Sequence, residues 1–279
     1  MMEAKYIFID VDGTLLTYKN ELPESAVQAI HASQKKGNKV FPVTGRSKAE
    51  MYDDILAIGF DGYIGANGAY AEIAGKEIYH HSLSAEQEKR IVDWLKNRGL
   101  EFYLESNSGL YGSENFRERG KSTMISYGAY KGQKDLSDIS VESVFPEMLF
   151  DQNLYRDDVN KISFILEDYQ DYLDAKEEFA DFAVNTWGGH NEEALFGDIA
   201  LKNIKKSDAI AYILGFVGAS SEDSYAFGDA RVDNDMLLYC GTGIAMGNAG
   251  ESTKAVADYI TDDVDKDGLY KAFAHYDLI

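Results

Sequence analysis

The stretch KYIFIDVDGTLLTYKN, residues 5–20, carries an apolar, strand-like run straight into Asp10, then Asp12, Gly13 and Thr14. Two carboxylates one residue apart at the end of a buried strand repel each other, and burial disfavours their charged forms. Something must offset that cost. Three further polar clusters also end apolar runs: Thr44-Gly45-Arg46, Asn67-Gly68, and Gly228-Asp229 with Asp233 close behind. In an open α/β sheet, ligands bind beyond the carboxyl ends of the strands, where the strand order reverses. The four clusters are therefore expected to converge on one crevice. Oxygen-only ligands with no His or Cys beside them select a hard cation such as Mg²⁺. Asp10 and Asp229 are the natural side-chain ligands. Asp-x-Asp-Gly alone is also an ordinary acidic turn; the constellation carries the metal reading.

Alternating strand-like and helix-like segments supply these strand ends. YIFID (6–10) reads as a buried strand, and residues 23–36 as an amphipathic helix opened by Pro23 and closed by Gly37. NKVFPVTG (38–45) reads as a second strand in which Pro42 forfeits a ladder bond. SKAE (47–50) is a capping box that starts a helix, and DGYIGANG (61–68) is a third strand. Such a β-α-β-α-β run implies a parallel sheet with right-handed crossovers. The C-terminal third repeats the grammar, with helix 206–217, strand 223–229, helix 233–240, strand and turn 241–249, and strand 258–261.

The middle differs. It reads as helix 84–98, extended segments around 101–112 and 121–130, strand 161–167 and helix 168–182, crowded with tyrosine, phenylalanine and acidic residues. The expected architecture is α/β: a Rossmann-like, doubly wound parallel-sheet core domain made of residues 1–82 and 188–279. An α+β domain is inserted over residues 83–187.

The 279 residues are 45% apolar, with three prolines, one cysteine and a formal charge of −21. That acidic field repels phosphate backbones and anionic lipid head groups, so nucleic acid and membrane are excluded as expected partners. It also sets a constraint: a phosphate ligand needs a local cation or a ring of amide donors. Cys240 has no partner for an internal disulfide and reads as a buried, inert thiol. No run approaches the ~20 apolar residues of a membrane span, and no secretory leader pattern opens the chain. Cytoplasmic localisation, as a monomer or weak homodimer, is the expectation.

DVDGT, VTGR, FGDARVDNDML and IAMGNA, in this order and spacing, resemble the haloacid dehalogenase-like hydrolases, and most closely the Cof-type sugar-phosphate phosphatases. ANGA (66–69) and DKDGLYKAF (265–273) extend the resemblance over almost the whole chain. It implies a core of that fold with an inserted cap that sets substrate specificity. It further implies a Mg²⁺-dependent phosphatase acting on small phosphorylated metabolites such as sugar phosphates, flavin mononucleotide or pyridoxal phosphate.

Residue by residue, the resemblance makes Asp10 the nucleophile that becomes an aspartyl-phosphate. Asp12 is the general acid and then base, which needs a proton near neutral pH. An unperturbed Asp titrates near ~3.9, so burial and neighbouring carboxylates are expected to push Asp12 upward. The metal falls to Asp10, Asp229 and the backbone carbonyl of Asp12, with Asp233 in support. Thr44, Gly45 and a lysine hold the phosphoryl oxygens. LKNIKKSDAI offers Lys202, Lys205 and Lys206; the spacing to the next helix favours Lys206, with Lys205 second.

The fourth motif departs from the family's Gly-Asp-x-x-Asn-Asp. An ungapped alignment puts Val232 at the Asn position, leaving Arg231, Asn234 or Asn248 to supply a phosphate contact. Arg46 reads equally well as structural or as a rim cation, and Asn67 and Asn248 as loop-shaping. Trp187, His190 and Glu192, at the exit of the insert, are candidates to meet a sugar or aromatic ring. Two other functions stay open: a phosphotransferase or mutase using the same aspartyl-phosphate, and a non-catalytic phospho-ligand sensor.

Overall fold

The computed structural model describes residues 4–189 and 191–279. They form two compact units. The first comprises the chain through Arg46, Met51–His80 and Ile204–Ile279; the second comprises Ser47–Glu50 and His81–Asn203.

The first unit is built on a sheet whose strands run, edge to edge, Tyr259–Ile260, Thr242–Ala245, Ser224–Gly228, Tyr6–Asp10, Lys39–Val43, Gly62–Gly65, Tyr70–Ile73 and Lys76–His80. The first six are mutually parallel, and the last two form an antiparallel edge that the periodicity did not predict. Tyr6–Asp10 is central and buried from Ile7 onward, as a near-continuous apolar run requires when helices cover both faces. Chain order departs from it in both directions, to Lys39–Val43 on one side and Ser224–Gly228 on the other. The switch point therefore lies beyond Asp10, Val43 and Gly228. Five residue pairs register Tyr6–Asp10 against Lys39–Val43, but only Val43 with Ile64 registers the next pair of strands. The thin ladder falls beside Pro42, which has no N–H to give.

The second unit holds a sheet ordered Ala183–Trp187, Phe196–Ala200, Val159–Ile165, Phe102–Ser106, Leu110–Gly112 and Met148–Leu149, antiparallel except for the last pair. Helices Ala85–Arg98 and Tyr169–Glu178 pack Ile91, Val92, Leu95 and Ala175 onto Phe102, Leu104, Ile162 and Phe164. Both helices open with side-chain caps, Ser84 on the Gln87 amide and Asp168 on the Gln170 amide.

Three sequence expectations need correction here. The unit runs to Asn203 rather than ending at 187, because Phe196–Ala200 pairs with both Ala183–Trp187 and Val159–Ile165. Residues 121–130, read as extended, form the helix Lys121–Tyr130. Met124 and Gly128, one turn apart, face the interior, so packing overrides local propensity. SKAE gives only a short 3-10 turn, Lys48–Glu50, with the Glu50 carboxylate accepting from the Ser47 amide at 2.8 Å.

Candidate active site

After Asp10 the chain turns back on itself. The amides of Leu15 and Leu16 donate to the Val11 carbonyl at 3.0 and 2.8 Å, while Val11, Leu15 and Leu16 are fully buried and pin the loop from beneath. Gly13 allows this return with a φ of +96°. A Cβ there would lie 2.4 Å from Asp229 Oδ2, so the strand-1 loop and the Asp229 carboxylate meet only because residue 13 has no side chain.

Lys206 opens the helix Lys206–Val217 and is 1% exposed. Its Nζ donates to Asp10 Oδ1 at 2.6 Å, to Asp233 Oδ1 at 2.6 Å and to the Val43 carbonyl at 3.3 Å. Lys205 is exposed, as is Lys202. Asp233 accepts on its other oxygen from the amides of Asp229 and Ala230, at 3.1 and 2.9 Å. Both its oxygens are thus committed within the protein. Asp229 accepts from the Thr14 hydroxyl at 3.2 Å and from the Tyr18 hydroxyl.

Asp10, Asp229 and Asp233 are all buried and each brings a carboxylate oxygen within 4.8 Å of the others. Burial first, then the Asp233 charge, push Asp10 well above the ordinary carboxylate range despite the Lys206 ammonium. Burial likewise raises Asp229. For Lys206 burial opposes the charge, but Asp10 and Asp233 outweigh it and hold the ammonium above its usual range. Three carboxylates against one ammonium leave two negative charges in an oxygen-only nest. That donor set fits a hard divalent cation. Asp10, with Lys206 on one of its oxygens, and Asp229, whose partners are two hydroxyls, are the side chains best placed to hold it; Asp233, tied to Lys206 and two amides, is the strut.

Thr44 follows the second strand and is 1% exposed. Its amide donates to Ile64 O at 3.0 Å, and its hydroxyl accepts from the Arg46 amide at 3.1 Å, which leaves the hydroxyl hydrogen to be donated elsewhere. Gly45 runs close to Asn67, whose Oδ1 would sit 3.0 Å from a Cβ at residue 45. Asn67 holds a φ of +55° and donates its amide to the Thr44 carbonyl, a loop-shaping role. Asn248 is likewise spent on the loops: its Nδ2 donates to Gly13 O at 2.8 Å and its Oδ1 accepts from the Val264 amide at 2.9 Å. Val232 is 51% exposed, and Asn234 Nδ2 donates to Ser252 O at 3.4 Å. In the second unit Trp187 stacks on Phe196 at 4.0 Å and Glu192 is exposed; His190 lies outside the described residues.

Asp12 departs from expectation. Its side chain is 45% exposed and is gripped by Arg46, with Nε to Oδ2 at 3.0 Å and Nη2 to Oδ1 at 2.7 Å. Its side chain thus lacks the burial expected of it. The two-pronged contact fixes the orientation of the carboxylate. Burial acts against the Arg46 charge, but the Asp12 bonds and charge prevail and raise the guanidinium further above its ordinary range. Arg46 also lies over the Tyr52 ring, 4.6 Å from its centroid.

Tyr18 is the site residue that sequence reasoning missed. Burial first, then the hydrogen bond to Asp229, raise its phenol, so the hydroxyl is a committed donor. The available signal was weak: a phenol four residues past Thr14, in a loop that has to double back.

The profile of the haloacid dehalogenase-like hydrolase family matches residues 7–273. The phosphatase YwpJ of Bacillus subtilis is 26% identical, covering 97% of this chain and 99% of its own. The 5-amino-6-(5-phospho-D-ribitylamino)uracil phosphatase YcsE of the same organism is 25% identical, covering 99% and 97%. Among solved structures, the phosphatase BT1666 of Bacteroides thetaiotaomicron superposes with a TM-score of 0.74 at 25% identity, covering 99% of this chain and 96% of its own. With its core strands ending in this acidic nest, the chain belongs to the haloacid dehalogenase-like hydrolases, as an enzyme of their Cof-type phosphatase branch.

Proposed function

We propose that the protein hydrolyses phosphate monoesters of small metabolites with Mg²⁺ bound by Asp10, Asp229 and the Asp12 backbone carbonyl. The observation that supports this most is the buried Asp10–Lys206–Asp233 chain beside Asp229. The ion, when bound, supplies positive charge that offsets the carboxylates and the incoming phosphoryl oxygens. Asp10 attacks phosphorus and takes the phosphoryl group as an acyl phosphate. Asp12 protonates the departing alkoxide and later takes the proton of the attacking water. Lys206, fixed by two carboxylates, presents a permanent charge to the transferring oxygens without reorganising. The Thr44 hydroxyl and the Gly45 backbone complete their cradle.

Sugar phosphates, flavin mononucleotide, pyridoxal phosphate and ribitylaminouracil phosphates form the substrate class to screen. The groups just named are spent on the ion and the phosphoryl group, so selection among alcohol portions is assigned to the second unit. Phosphate release from this panel is expected to require Mg²⁺ and to fall to background in Asp10→Asn. Release unaffected by that substitution would remove the proposal.

A further inference from the structure

Asp229 carries a hydroxyl donor on each of its oxygens, Thr14 on Oδ1 and Tyr18 on Oδ2. Thr14 is fully buried and held by the loop. Tyr18 is 57% exposed, and its hydroxyl reaches the second oxygen of Asp229. An ionised carboxylate can only accept, so the Tyr18 hydroxyl is the donor.

A carboxylate with a donor on each oxygen resists wrapping both of them around one cation. Mg²⁺ takes single carboxylate oxygens in a near-octahedral shell, whereas Ca²⁺ accepts carboxylates that offer both. Resting on the metal site proposed above, we infer that Tyr18 is a positioning residue that holds Asp229 for one-oxygen coordination and thereby favours Mg²⁺ over Ca²⁺. Partners that orient a metal ligand typically change affinity by about 10- to 100-fold.

Calorimetric titration of MgCl₂ and CaCl₂ into the metal-free full chain, wild type and Tyr18→Phe, tests this. Phe keeps the ring and removes the hydroxyl, and an unchanged metal-free melting temperature is expected at so exposed a position. The Mg²⁺ Kd is expected to rise at least about 10-fold, with a smaller change for Ca²⁺. A Mg²⁺ Kd that is unchanged or tighter in the variant, or an equal loss for both ions, overturns the inference. Wild type that binds Mg²⁺ leaves the metal reading standing in those cases; wild type that binds neither ion overturns both.

Discussion

Lys206 joins two buried carboxylates, and neither has another cation among its described contacts. Lys206→Met would leave Asp10 and Asp233 facing each other unpaired. Removing one partner of a buried ion pair costs about 3–5 kcal/mol, so a urea midpoint should fall accordingly and turnover should be lost. Lys205→Met, at an exposed neighbour, should stay within about 0.5 kcal/mol of wild type. Arg46 and Asp12 make a different, half-open pair, in which the two-pronged guanidinium fixes where the Asp12 carboxylate points. In Arg46→Ala the proposed general acid loses that anchor. kcat/KM is therefore expected to fall, by about 10²-fold or more if the acid is misplaced outright; an unchanged kcat/KM would separate Arg46 from the acid.

The loop after the first strand works as one element, because Gly13 lets it pass under Asp229. Gly13→Ala forces a left-handed φ on a residue with a side chain and drives a methyl group into the Asp229 carboxylate. Strain of this kind costs about 1–3 kcal/mol, and displacement of Asp229 should weaken Mg²⁺ binding measured by calorimetry. At this scale much was legible from the chain alone. Apolar runs that end in Asp10, Thr44 and Asp229 announce strand ends, and a lysine at the first position of an apolar helix announces Lys206. The orientation of Asp12 was not legible, since its partner Arg46 lies 34 residues away and alternation says nothing about which way a loop carboxylate turns. Residues 121–130 misled because their composition favours strand while their packing demands a helix. The end of the second unit was missed because pairing of Phe196–Ala200 with Val159–Ile165 is a long-range choice.

On the scale of the whole molecule, a chain of charge −21 is proposed to act on anions. The proposed site meets this with Lys206, with Arg46 at the Asp12 carboxylate and with the charge of the divalent ion it would bind. These groups come from the chain's first and last thirds, brought to one sheet switch point by a topology that places Tyr6–Asp10 between Lys39–Val43 and Ser224–Gly228. The most direct measurement is acid-quench mass spectrometry during turnover of a phosphate monoester with Mg²⁺. A phosphoryl group on the peptide bearing Asp10, absent in Asp10→Asn and absent after chelation of the metal, is the expected result. Turnover with no phosphorylated Asp10 peptide at any quench time, or the same label in Asp10→Asn, would contradict the account.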